Sequence, residues 1–129
     1  MLNPNYSRAS AHYRTLALSS QIESADPHHL VALLYDELLL CINILTVQAS
    51  KCDSLLLDPQ AHRARSIIVA LRAGLNFESG ELAETLAGLY AALASELEDR
   101  LANPDPLRFA ELRAGIESLA AAWKAIAER

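Results

Sequence analysis

The sequence predicts an all-α domain: an antiparallel up-down four-helix bundle with a short extra N-terminal helix or mobile segment. Three observations predict it. Leu and Ala dominate the 129 residues, with only 4 glycines and 5% aromatics, a mixture that favours helix. Three Asp-Pro pairs, Asp26-Pro27, Asp58-Pro59 and Asp105-Pro106, punctuate the chain. Between them apolar residues recur at helical spacing, and neither a strand pattern nor an internal repeat appears. The length suits one domain, read as a cap segment over residues 1–25 and a bundle over 26–129.

Near the start, Tyr6, Ala9, Tyr13 and Leu16 share one helical face, so residues 5–20 can form a short helix. The first long helix is expected over Pro27–Asp53. Asp26 caps it, accepting from an orphan backbone N–H and matching the positive end of the helix dipole. Pro27 fits the first helical position because its missing N–H is not needed there. The same logic starts the second helix, Pro59–Leu75, whose Ala61, Ala64, Ile68, Leu71 and Leu75 align. The third, Gly80–Ala102, begins after Ser79 as cap and repeats Leu82, Leu86, Leu89, Leu93, Leu97 and Leu101, with Tyr90 beside them. The fourth, Pro106–Ala127, aligns Ala110, Ile116, Leu119, Trp123 and Ile126. Asn76 to Gly80 and Asn103-Pro104 act as stops. Connections this short favour antiparallel neighbours.

Several function classes recede. A net charge of −5 and a pI of about 5.3 give no general attraction for nucleic-acid phosphates, and no local basic patch stands against that. Cys41 and Cys52, placed on one helix, would lie roughly 16 Å apart, beyond the ~7 Å that a disulfide allows; free thiols suit a reducing cytosol. The first residues lack a signal peptide's basic and apolar regions. The apolar stretch from Leu38 to Ser50 is too short to span a bilayer, and Asp36-Glu37 precede it, so no membrane insertion is expected. His12, His28, His29 and His62 occur without a Glu-x-x-His pattern, and there is no Cys-x-x-Cys and no phosphate-binding Gly-rich loop. No metal, cofactor or catalytic group is therefore expected, and the carboxylates read as solvated helix faces.

The first long helix is unusual. Its polar residues, His29, Asp36, Asn43 and Ser50, form one stripe spaced by seven, widened by Glu37 and Lys51. Almost everything else on it is apolar. A bundle helix needs about three apolar positions per heptad, so one core cannot easily hide this arc. A second surface should meet it: the chain's own N-terminal segment, a second copy, or a helical segment of another protein.

The run from Ile22 to Asp36, with Asp26-Pro27 opening the helix and Leu33-Leu34-Tyr35-Asp36 inside it, resembles the signature of the flagellar secretion chaperone family, FliS. A second block, Leu75-Asn76-Phe77-Glu78-Ser79-Gly80-Glu81-Leu82 followed by Leu89-Tyr90, is similar to that family's Leu-Asp-x-Glu-Gly-Gly-Glu and Leu-Tyr patterns. Arg100-Leu101-Ala102-Asn103, the final helix, and Tyr6 and Tyr13 also agree. The departures are Asp26 for a family Ser, Glu37 for a family Gly, and one Gly fewer at Ser79-Gly80. The resemblance implies a cytoplasmic, non-enzymatic chaperone without cofactor. Such a protein binds the disordered C-terminal segment of flagellin, prevents premature polymerisation and delivers it to the type III export apparatus. Partners would include an export gate component and other flagellar regulators. The expected client groove is Leu30, Leu34, Tyr35, Leu38, Ile42 and Leu45, covered by Tyr6 and Tyr13 when no client is present. The alternative is a homodimeric helical adaptor or regulatory subunit of a secretion system.

Overall fold

A computed structural model of the chain describes residues 27–75 and 80–127. Four helices account for most of them: α1 (Pro27–Ala49), α2 (Pro59–Ala73), α3 (Glu81–Ala102) and α4 (Pro106–Ala127). They form the expected up-down bundle. α1 packs most extensively, on α4 and on α2; α2 also meets α3, and the α3–α4 seam is the loosest. The N-terminal segment that carries Tyr6, Tyr13 and the Asp26 cap lies outside the described residues.

Both described Asp-Pro starts work as their chemistry predicts. The Asp58 carboxylate accepts from the Gln60 N–H at 2.8 Å and the Asp105 carboxylate from the Leu107 N–H at 3.0 Å. Each Pro occupies the first turn, where no donor is missed. Other boundaries differ from expectation. α1 stops at Ala49 rather than Asp53 because the chain must turn inward: Leu55 is buried, and its N–H donates to the Leu101 carbonyl at 2.8 Å, across to the end of α3. Cys52 therefore sits beyond the helix, exposed, while Cys41 is buried within it, and both are free thiols. α2 ends at Ala73, where the Gly74 N–H donates to the Ala70 carbonyl. α3 is capped by Gly80, not Ser79, and its φ of 76° lies in the left-handed region that glycine adopts without strain.

The core is one continuous cluster built around α1. Leu30, Leu34, Leu38 and Leu45 interlock with Ala61, Ala64 and Ile67 of α2, Leu97 and Leu101 of α3, and Phe109 and Ile116 of α4, all essentially inaccessible to water. Small alanines on α2 let it approach α1 closely. Taken over its whole length, α1 is long and apolar enough to cross a membrane, which the shorter Leu38–Ser50 stretch did not suggest. Here one face of that apolar surface packs on α2 and α4. Glu37, midway along, is ion-paired with Arg63 of α2 at 2.6 Å.

Candidate partner-binding surface

Leu30, Leu34, Tyr35, Leu38, Ile42 and Leu45 are all 0–1% exposed. As the bundle stands they are core and are not open to a partner. The surplus of apolar surface on α1 is nonetheless real and lies elsewhere. Leu40, Ile44 and Val47 are 51%, 37% and 59% exposed, and half-buried Leu33 extends their row by one heptad. Leu40, Ile44 and Val47 do not reach the core because Leu38, Cys41, Ile42 and Leu45, on the opposite arc, already fill it, whereas Leu33 packs partly against it.

A sequence signal for this row exists. Leu33, Leu40 and Val47 each follow a member of the polar stripe (His29, Asp36, Asn43) by four residues. Four residues along a helix return to within roughly 40° of the same direction. The polar stripe marks the water side, so its immediate flank is the part of the arc left open. Ile44 follows Glu37 by seven residues, two full turns that bring it back to within roughly 20° of the same direction.

Beneath this surface Tyr35 of α1 and Tyr90 of α3 meet across the diagonal of the bundle. Their hydroxyls share a hydrogen bond of 2.6 Å. Burial pushes the Tyr35 phenol above its ordinary value, and the bond to Tyr90 partly offsets this. Burial raises Tyr90 too, with the nearby Tyr35 adding to it. Both stay neutral, so the pair is a polar tie in an otherwise apolar core. Tyr35→Phe or Tyr90→Phe alone should cost about 1–3 kcal/mol by stranding the other hydroxyl, whereas the double variant should recover most of that loss. Urea unfolding of the three variants measures it; equal, additive losses would count against a coupled pair.

A second open surface lies at the loose α3–α4 seam. A groove of about 350 Å³ runs between Leu89, Leu93 and Glu96 of α3 and Leu112, Gly115 and Leu119 of α4. At the end of the bundle near the start of α1, the Trp123 indole N–H donates to the His28 carbonyl at 3.1 Å, and its ring stands 4.8 Å from the His28 ring. This contact fastens α4 to α1.

Among the described residues no three His, Cys, Asp or Glu side chains gather as a metal site. The Cys41 thiol is pushed up to about 11, chiefly by burial, with Arg63 pulling it down less strongly, so it is a poor nucleophile at neutral pH. What the molecule offers a partner is apolar area on rigid helices.

The family model described as flagellar protein FliS matches residues 9–129. The chain belongs to that family. The match covers nearly all of the chain, including every described helix. No curated protein and no solved structure matches it. Membership in the FliS family gives the chain a role as a flagellar export chaperone, in a family of chaperones rather than enzymes, with a flagellar protein as its partner in general terms.

Proposed function

We propose that this FliS-family chain is a cytosolic export chaperone for flagellin. It binds the disordered C-terminal segment of flagellin as helix, keeps it from polymerising early, and delivers it to the flagellar type III export gate. The observation that carries this reading is the open row Leu40, Ile44 and Val47 on a family member's central helix. A client that orders as it binds needs apolar area to offset the lost entropy, and a rigid helix face supplies it without reorganisation. Leu30, Leu34, Leu38, Ile42 and Leu45 act beneath that face by fixing the rotation of α1, with Tyr35 holding it to α3. Tyr6 and Tyr13 belong to a segment that shields apolar surface until the client displaces it.

The test is co-expression with flagellin carrying or lacking its last helix. Full-length flagellin should co-elute with the chaperone, and the truncated form should not. Sedimentation that gives a tight homodimer and no flagellin complex would favour the adaptor alternative instead.

A further inference from the structure

Burial divides α4 in two. Phe109, Leu112 and Ile116 are buried in the core, whereas none of residues 117–126 is fully buried. Leu119, Ala120 and Trp123 only pack against the edge of the core. Core packing therefore fixes the first half of the helix far more firmly than the second.

The boundary between the halves is weak in its own right. Gly115 stands in mid-helix, where only proline is a poorer helix former. A Cβ built there would meet no atom within 4 Å, so no close approach of another helix requires glycine. The groove of the loose α3–α4 seam runs alongside Gly115 and Ser118, and α3 gives little support at that level. The Ser118 hydroxyl donates to the Ala114 carbonyl at 3.1 Å, a back-bond that tends to bend a helix. Against these stands the Arg113–Glu117 ion pair, which bridges Gly115 at 2.7 Å; both partners are about half exposed, so it adds little.

Beyond that point the sequence is Ala-rich and favours helix, yet a stretch this short is marginal as an isolated helix in water. It depends on tertiary contact, and Trp123 supplies it. The indole N–H is bonded to the His28 carbonyl and the two rings lie together. Because α1 and α4 run antiparallel, the turn with Leu119 and Ala120 lies beside the turn of α1 that follows His28.

We propose that the second half of α4 is a releasable arm, hinged at Gly115 and latched by Trp123 on His28, which opens while the rest of the bundle stays folded. Closed, it covers the first turns of α1; open, it bares them together with Leu119 and Trp123. The bundle thereby controls how much apolar surface it shows at that end. The device belongs to the chain alone and stands whether or not the client reading holds.

Amide hydrogen exchange of the full chain, followed residue by residue by NMR, tests it. The amides of residues 118–126 should exchange at least about tenfold faster than those of 110–116, as one block with a step at Gly115. Trp123→Ala should quicken that block about tenfold more and leave 110–116 unchanged. Gly115→Ala, which strengthens the hinge, should slow the block about fivefold. Both variants should stay folded, since Trp123 is only half-buried and Gly115 is exposed; thermal unfolding checks this. Protection that is uniform along α4, or that declines smoothly toward Ile126 as in ordinary end fraying, would overturn the proposal. So would a Trp123→Ala variant that speeds exchange equally in both halves, or a Gly115→Ala variant that leaves the block unchanged.

Discussion

Phe109→Ala should lower the melting temperature by about 10–20 °C. Phe109 is completely buried in the first turns of α4, where its backbone N–H donates to the Asp105 carbonyl. Its ring joins the core cluster shared by all four helices. Truncation to Ala removes the transfer energy of the ring and leaves a cavity that rigid helices close only in part, at a cost of about 3–5 kcal/mol. Domains of this size are stable by only about 5–15 kcal/mol, so a substantial fraction would unfold on mild heating. Differential scanning calorimetry reads the shift directly. A change of only a degree or two would mean that α4 is not held by its N-terminal turns.

The second large effect is on binding. Leu40→Glu combined with Val47→Glu should weaken flagellin binding at least about a hundredfold, equivalent to ~2.7 kcal/mol, with little loss of stability. Both side chains are more than half exposed, so the folded chain loses little by their replacement, whereas a client laid on the row would have to desolvate two carboxylates. Calorimetric titration with a flagellin fragment, paired with thermal unfolding, separates the two. Undiminished affinity would remove this row from the client site.

These expectations rest on features that the sequence revealed unevenly. Asp58 and Asp105 announce their helices because a cap is a local bargain among three or four neighbouring residues, and local bargains are visible in one dimension. The end of α1 was not visible in this way. It is set by Leu55 reaching the Leu101 carbonyl, a contact between residues far apart in the chain. The apolar excess of α1 was legible from composition alone. Its division into a core face and an open face was not, because a nearly uniform arc gives no preference for one rotation. Tyr35 and Tyr90 resolve that ambiguity by meeting across the bundle, and a single sequence shows nothing that pairs them.

The indole at the foot of α4 has a practical consequence. Trp123 is the sole tryptophan, and its ring and N–H both rest on His28 of another helix. Its ultraviolet emission, excited at wavelengths too long for the four tyrosines to absorb, therefore reports on one junction. Any event that parts α4 from α1 there, whether heat, denaturant or an incoming client, changes the colour and brightness of that light, and can be followed in real time without attaching a dye.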